Sequence, residues 1–192
     1  MKKLLTPLLI MSLLAFSNPC LSRDGPNVDL QKRDGIWYEE STNTPYTGIY
    51  IYYVPYEVWE GGIVEKISYK GGVKHGKSIF YNENGSVGII QNYKDGKLHG
   101  ESTLHNDFGQ VNWRRNYRNG KAHGKYFIYN EDGQLTHKGN YKDGELHGED
   151  FAYRDNGTLW IKSNYINGVE QDKSTYLENG QLCTSKDWMD CL

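Results

Sequence analysis

Four histidines recur at a constant spacing in the middle of the chain, and each is followed by glycine. They lie 24 residues apart, at His75, His99, His123 and His147. Neutral imidazoles in one row could bind zinc or copper, or titrate near pH 6. However, two strands at roughly 4.8 Å each would separate neighbouring histidines, whereas the ligands of one ion converge within about 4 Å. We therefore interpret the row as a repeated turn residue and predict no cofactor.

No other cluster of residues indicates an enzyme. Ser86 lies in Gly85-Ser86-Val87-Gly88, which lacks the spacing of a nucleophile elbow and follows a turn signal. The glycines open hairpins and do not form a phosphate-binding strand-to-helix loop. The formal net charge is -2, so the basic excess of a nucleic-acid-binding surface is missing. We predict a protein that is neither an enzyme nor a nucleic-acid binder.

The dominant feature of the sequence is a 24-residue repeat. From Tyr46 the chain divides without gaps into full units that each end in tyrosine, followed by one shortened unit. The units are 46–69, 70–93, 94–117, 118–141, 142–165 and 166–182. The first and last units depart most from the others, as terminal repeats do when one side has no neighbour.

Glycines divide each unit into two strands. One set mostly follows Asp or Asn, a pair that tolerates positive φ in tight hairpin turns, and a second set lies near mid-unit. The turn glycines are Gly72, Gly96, Gly120 and Gly144, with Gly85, Gly109, Gly133 and Gly157 at mid-unit. Two turns in each unit leave two strands of about five to seven residues. We predict an all-β fold, a single-layer antiparallel β-meander of tandem hairpins, elongated and twisted.

Alternation along the strands predicts which side chains share a face. Phe127 and Tyr129 are expected on one face, and Tyr126 and Ile128 on the other. On the return strand, Leu135 and Tyr141 are expected to share a face of aromatic and aliphatic residues. The opposite, polar face is expected to carry the recurring asparagines Asn92, Asn116, Asn140 and Asn164. We also hypothesise that a third set of glycines leaves room for an aromatic ring of the adjacent strand: Gly76, Gly100, Gly124 and Gly148.

The repeat motif resembles that of a known family. The pattern Tyr-[Lys/Arg]-[Asp/Asn]-Gly-x-x-His-Gly, followed by Tyr-x-x-x-Gly-x-Leu, is similar to the variant MORN repeat of bacterial proteins. The resemblance covers about residues 34–182. It implies a stack of hairpins, and such proteins are often labelled antitoxins of a toxin–antitoxin family. A fold hosts many roles, so the resemblance does not identify a particular one.

The N-terminal 22 residues have the pattern of a signal peptide. Two lysines precede an apolar-rich stretch from Leu4 to Phe16, which is shorter than the roughly 20 residues of a membrane span. Cleavage after Ser17 or Ser22 fits the small-x-small rule, and lipidation at Cys20 is an alternative, although Pro19 precedes it. We expect an exported protein, periplasmic or secreted.

The two ends of the mature chain are expected to cap the repeats. Residues 23–45 include a hairpin signal at Arg33-Asp34-Gly35 and are interpreted as an N-terminal capping hairpin. Residues 183–192 form a C-terminal tail, of which Trp188 or Met189 is expected to pack inward. In an oxidising compartment, Cys183 and Cys191 could close a disulfide loop, and two free thiols are the alternative.

The aromatic residues of the sheet suggest a binding role. A strip of exposed rings suits protein recognition, although cross-strand packing also explains any single ring. The candidate contacts are Tyr81, Trp113, Phe127, Tyr129, Phe151 and Tyr153. The expected partner is an unidentified protein, such as a toxin or an envelope protein, or a second copy of the chain. The alternatives are a structural envelope element and a membrane-lipid-binding protein, although the latter lacks a polybasic cluster.

Overall fold

The computed structural model describes residues 28–54 and 62–183. The signal-peptide prediction, Cys20, and the tail residues Trp188, Met189 and Cys191 lie outside the described residues. None of the described residues forms a helix with the length and apolar character needed to cross a membrane. The strands are β1 (Leu30–Arg33), β2 (Ile36–Glu39), β3 (Thr44–Pro45), β4 (Gly48–Val54), β5 (Gly62–Lys70), β6 (Val73–Tyr81), β7 (Val87–Lys94), β8 (Lys97–Leu98), β9 (Gly100–His105), β10 (Val111–Arg118), β11 (Lys121–Tyr129), β12 (Leu135–Lys142), β13 (Glu145–Leu146), β14 (Gly148–Tyr153), β15 (Leu159–Ile166) and β16 (Val169–Thr175).

The strands from β4 to β16 form one antiparallel sheet of 13 strands in chain order. The two-residue strands β8 and β13 pair antiparallel with β7 and β12 and lie off the main path of the sheet. The sheet is open, with β4 at one edge and β16 at the other. The predicted meander of hairpins is therefore confirmed. Most of the repeat strands have eight or nine residues, longer than the predicted five to seven.

Two kinds of turn join the strands, as the glycines predict. In the tight turns Asp95, Asn119, Asp143 and Asn167 have φ values of 49–54°, and each precedes a glycine of positive φ. Two consecutive positive φ values define a turn whose twist matches the flanking strands. The eight predicted turn glycines all have φ values between 77° and 103°.

Each tight turn is also bonded to the tight turn one repeat earlier. The amide of Gly96 donates to the carbonyl of Lys74 at 2.8 Å, and Gly120, Gly144 and Gly168 make the same bond to Leu98, Ala122 and Leu146. These bonds satisfy polar backbone groups that a single hairpin would leave to water. The turns consequently stack in a column, so that each repeat stabilises the next.

The N-terminal hairpin completes this column at its start. β1 and β2 pair antiparallel around Asp34 and Gly35, where the sequence predicts a hairpin. The amide of Trp37 donates to Gly72, and the amide of Gly72 donates to Tyr46, which takes the place of a preceding repeat. Tyr46, Ile67 and Tyr69 form a buried cluster on which Trp37 packs. Burial raises the pKa of Tyr69 to about 12, with a smaller contribution from Glu65.

The two faces of the sheet are less distinct than the alternation predicts. Asn140 pairs with Lys125, which shares a face with Phe127 two residues further along β11. The asparagine and the phenylalanine thus lie on one face, and Tyr126 and Tyr141 lie on the other. A β-bulge between Ile128 and Tyr129 pairs Tyr129 with Leu135 and so separates Leu135 from Tyr141. The predicted polar face and the predicted shared face of Leu135 and Tyr141 are therefore wrong.

The hypothesis about the third set of glycines is also wrong. A Cβ added to Gly76, Gly100 or Gly124 would meet the Cβ of Ser68, Asn92 or Asn116 at 3.5–3.6 Å, and none would meet an aromatic ring. A Cβ at Gly148 would meet nothing within 4 Å. Instead these four glycines share positive φ values of 87–93°. Backbone conformation, which disfavours residues with a Cβ, explains why glycine recurs there.

Candidate binding surface

One row of side chains crosses the C-terminal half of the sheet on a single face. Successive strands pair Arg114 with Phe127, Phe127 with Lys138, Lys138 with Phe151, and Phe151 with Lys162. Directly opposed residues of an antiparallel pair point to the same face. Positive charges and phenyl rings therefore alternate along five strands. We call these five residues the ladder row, and their side of the sheet the ladder face.

The Phe151 ring of the ladder row contacts the ammonium groups of both neighbouring lysines. The Nζ of Lys138 lies 4.9 Å from the ring centre of Phe151 and 5.3 Å from that of Tyr153. The Nζ of Lys162 lies 5.6 Å from the Phe151 ring centre and bonds Glu149 at 2.6 Å. Each cation–ring contact contributes about 0.5–1 kcal/mol at an exposed site. The contacts hold the lysine chains over the rings and fix the shape of the surface.

An open groove runs across β11, β12 and β14 on the ladder face. Its volume is about 610 Å³, and Lys125, Phe127, Lys138, His147, Glu149 and Phe151 are among its lining residues. The ladder row and the row beside it on the ladder face, counted from β9 to β15, hold four cations and two carboxylates. The cations are Arg114, Lys125, Lys138 and Lys162, and the carboxylates are Glu101 and Glu149. The base of the groove is therefore apolar, and cations outnumber carboxylates around it.

Five of the six predicted contact residues lie on the ladder face. Phe127 and Phe151 belong to the ladder row, and Tyr153 contacts its Lys138. Tyr81 and Tyr129 occupy the same repeat position as Tyr153, and a register shift precedes each of the three tyrosines. Tyr81 contacts Lys66 at the other end of the sheet, with Nζ 5.7 Å from its ring centre.

Trp113 does not join the other five residues. It pairs with Leu104 and Ile128, which places it on the opposite face. There the guanidinium of Arg115 lies 5.4 Å from the Trp113 ring centre and 5.3 Å from that of Tyr141. These contacts indicate cross-strand packing for Trp113. They do not make it part of the predicted strip.

The histidine row connects the tight turns. Nδ1 of His75, His123 and His147 accepts a hydrogen bond at 3.3–3.5 Å from the amide 20 residues later, in the next tight turn. Nδ1 of His75 and of His123 also lies 3.3 Å from the carboxylate of Asp95 and of Asp143, in the same tight turns. Among the described residues, the buried Nδ1 of His99 has no hydrogen-bond partner. Across residues 28–54 and 62–183, no group of three or more His, Cys, Asp or Glu is placed to hold a metal ion.

The recurring asparagines also have a structural contact. The side-chain amides of Asn92 and Asn116 donate to the carbonyls of Glu101 and Lys125 on the next strand, at 2.6 and 3.2 Å. Asn140 donates instead to the carbonyl of His147, on the other side of the positive-φ glycine, at 3.2 Å. These bonds fall where the strand pairing is interrupted beside the positive-φ glycines. The asparagines thus restore hydrogen bonds that the irregular strand pairing would otherwise lose.

On the opposite face, a partly buried polar contact links the fourth and fifth repeats. Tyr126 is 6% exposed, and its hydroxyl donates to the Asp150 carboxylate across Gly139 of the intervening strand. Burial and this hydrogen bond raise the pKa of Tyr126. A Cβ at Gly139 would lie 2.2 Å from Asp150 Oδ2 and 2.8 Å from Tyr126 Cε1. Gly139 therefore provides the space in which the tyrosine and the carboxylate meet.

Sequence reasoning missed Gly139 and the ladder-row cations. The repeat positions equivalent to Gly139 hold Ile67, Gln91, Arg115 and Ser163, so no consensus drew attention to it. Arg114, Lys138 and Lys162 lie 24 residues apart, among many other charged residues of the repeats. Their shared 24-residue spacing was the available signal. Cys183 is the last described residue, and Cys191 lies outside the described residues. Their pairing therefore stays a prediction.

Comparison with known protein families identifies the repeat. The MORN repeat variant family matches residues 74–95 and 122–143. These two segments begin in the tight-turn strands β6 and β11 and end in the next tight turn. Two segments of the chain are thus similar to the MORN repeat variant, and each overlaps most of one unit predicted from the sequence. No curated protein matches the chain.

Several solved structures are similar to a part of the chain. One is the glycosylation associate protein complex (Gap123) of Streptococcus agalactiae, at 17% identity and TM-score 0.33, covering 52% of this chain and 18% of that one. Another is the GtfA/B complex bound to UDP and GlcNAc, at 11% identity and TM-score 0.23, covering 70% and 23%. A third is TarM, at 15% identity and TM-score 0.24, covering 77% and 21%. The chain spans about a fifth of the length of each.

Proposed function

We propose that this chain, two segments of which are similar to the MORN repeat variant, is a non-catalytic module that binds a partner protein through its ladder face in the cell envelope. The observation that carries the proposal is the ladder row, in which two phenyl rings alternate with three cations beside an open groove. Aromatic rings and arginine are enriched among the residues that dominate protein interfaces. The excess of cations favours a partner surface that carries acidic groups.

The fold supports this role by fixing the surface before the partner arrives. The stacked tight turns bond each repeat to the next, and the cation–ring contacts restrain the lysine chains. Side chains that are already ordered lose less conformational entropy on binding. A rigid row of rings on adjacent strands is therefore a better recognition surface than the same residues on loops.

The place of action is part of the proposal. The N-terminal pattern of residues 1–22 supports export, with a mature chain that begins at Arg23. In the envelope, the partner could be a toxin, which would give the module an antitoxin-like or immunity role, or another envelope protein. A structural element and a membrane-lipid-binding protein are the alternatives. The four cations beside the groove, Arg114, Lys125, Lys138 and Lys162, are the observation that favours lipid binding.

A crosslinking capture experiment tests the proposal. The mature chain is crosslinked in its native envelope, and the captured proteins are identified for the wild type and for Phe127→Ser/Phe151→Ser. Phe108→Ser is the matched control, because Phe108 is 90% exposed in the β9–β10 turn and outside the ladder row. We expect one dominant partner that the double variant loses and the control keeps.

The other outcomes separate the alternatives. Capture of no protein, or only of further copies of the chain, would contradict the proposal and favour a structural role. Binding to vesicles of anionic phospholipid without any captured protein would favour the lipid alternative. Circular dichroism of each variant shows that the sheet is folded, so that a lost partner reports on the surface.

A further inference from the structure

The cations of the ladder row are evenly spaced. Arg114, Lys138 and Lys162 lie on every second strand of the sheet, with Phe127 and Phe151 on the strands between them. Adjacent strands are roughly 4.8 Å apart, so successive cations of the row are roughly 9.6 Å apart, as are the two rings. A ligand that contacts the whole row must therefore repeat its chemistry at this distance.

Two of these three cations are unpaired in the part of the chain that the structure describes. Lys162 pairs with Glu149 at 2.6 Å, whereas neither Arg114 nor Lys138 forms an ion pair there. The Lys138 ammonium instead lies over the Phe151 ring. Cations beside apolar rings complement a ligand in which carboxylates alternate with apolar groups.

A peptide that lies along this row cannot join the sheet as a further strand. β11, β12 and β14 are interior strands, each paired on both sides, so their backbone groups are already bonded to neighbouring strands. The peptide must therefore bind through side chains that it presents toward the ladder face. Its own backbone conformation then sets the spacing of those side chains.

Of the regular peptide conformations, polyproline II matches the spacing of the row best. Its residues i and i+3 lie on one face about 9.3 Å apart. One face of a β-strand repeats at about 6.7 Å, and one face of an α-helix repeats at about 10.5 Å over seven residues. From Arg114 to Lys162, polyproline II falls out of step with the row by about 0.6 Å and the helix by about 1.8 Å.

We propose that the ladder row binds a segment of the partner protein in the polyproline II conformation, with an acidic residue at every third position. Its carboxylates meet the three cations, and one of them shares Lys162 with Glu149. The intervening residues pass over Phe127 and Phe151, where prolines pack against the rings. Such a segment is largely ordered before it binds and so loses little conformational entropy. This inference rests on the proposed function, because it states the chemistry of the partner that the ladder face binds.

Fluorescence anisotropy of labelled peptides, titrated with the mature chain from Arg23, tests the spacing. One peptide consists of Glu-Pro-Pro triplets, and its matched control has the same composition with the glutamates together at one end. We expect the triplet peptide to bind about tenfold more tightly, because the control cannot place a carboxylate on each cation. A helical peptide with glutamate at every seventh position is also expected to bind more weakly. All three peptides are measured on the unmodified chain, so the comparison does not depend on a variant's folding.

Two lysine variants test whether the peptide contacts the ladder row. Lys138→Gln is expected to weaken binding of the triplet peptide about fivefold. Lys142→Gln removes the same charge at the end of the same strand, roughly 13 Å away and beyond the screening length of about 8 Å at physiological salt. It is expected to leave the affinity unchanged. Circular dichroism shows that both variants are folded.

Several results would overturn the inference. They are equal affinity for the two glutamate–proline peptides, tighter binding of the helical peptide, equal effects of the two lysine variants, and no binding of the triplet peptide. Failure here is distinguishable from failure of the proposed function. If the ladder face captures an envelope protein but the triplet peptide does not bind, the proposed function stands and the inference is wrong. If the triplet peptide binds as expected but no envelope protein is captured, the peptide preference stands and the proposed function is wrong.

Discussion

Gly139 offers a substitution for which two physical effects have opposite signs. It lies in β12 with no positive φ, where replacing glycine by alanine ordinarily stabilises a protein by about 0.4–1 kcal/mol through the unfolded state. Here the new methyl group would lie 2.2 Å from Asp150 Oδ2 and 2.8 Å from Tyr126 Cε1. Overpacking costs about 1–3 kcal/mol, and a displaced hydrogen bond to a charged group costs about 1.5–3 kcal/mol. We expect Gly139→Ala to lower the free energy of unfolding by about 1–3 kcal/mol, after part of the clash relaxes.

Urea unfolding followed by circular dichroism measures this change. Asp150→Ala removes the nearest atom of the clash, so combining it with Gly139→Ala is expected to cost about 1 kcal/mol less than the sum of the single changes. Tyr126→Phe removes the hydrogen bond but leaves the ring, and so separates the loss of the bond from the crowding of the ring. If Gly139→Ala left the unfolding free energy unchanged or raised it, the buried Tyr126–Asp150 contact would not constrain this strand.

Four further predictions concern the turns, the buried cap and the C-terminus. His123→Ala is expected to lower the free energy of unfolding by about 1 kcal/mol, more than His99→Ala, because Nδ1 of His99 has no bond to lose; equal losses in urea unfolding would contradict the turn-to-turn bond. Gly124→Val requires a β-branched residue at φ +93° and is expected to cost about 2 kcal/mol or more, whereas the exposed-loop control Glu131→Ala should change the thermal midpoint little. The folded-state pKa of Tyr69 is raised from 10.0 to about 12. The stability that depends on the protonated Tyr69 side chain is therefore complete below pH 10 and is lost as the pH rises to 12. Across this window the free energy of unfolding of the wild type should fall by about 2 kcal/mol more than that of Tyr69→Phe. Peptide mapping of the mature chain without reductant is expected to find a Cys183–Cys191 crosslink, and two free thiols would contradict it.

The turns could be predicted from the sequence because their causes are local. In the tight turns both residues of an Asp-Gly or Asn-Gly pair adopt positive φ, as Asn119 and Gly120 do, whereas in the mid-unit pair Asp132-Gly133 only the glycine does. The 24-residue period then gave the number and order of the hairpins. The predicted reason for glycine at position 124, room for an aromatic ring, was wrong. An aromatic neighbour and a positive φ both select glycine, and the sequence does not distinguish the two causes.

The faces of the sheet could not be predicted by counting alternate residues. Bulges at the ends of the hairpins shift the register by one residue, and each shift moves a side chain to the other face. Leu135 changed faces for this reason. The ladder row is likewise a product of pairing between strands of different repeats, so Arg114 and Phe127 become neighbours only once the register is known. The fold was therefore predictable, whereas the composition of its binding surface required the structure.

Site-specific photocrosslinking tests most directly the claim that the ladder face binds a partner protein. His137 and Lys138 are adjacent in β12 and lie on opposite faces, since His137 pairs with Ile128 and Lys138 with Phe127. A photoreactive residue is placed at either position in the mature chain, and the adducts formed in the native envelope are compared. We predict a protein adduct from position 138 and none from position 137. An adduct from position 137 alone, or equal yields from both positions, would contradict the assignment of the ladder face as the binding surface.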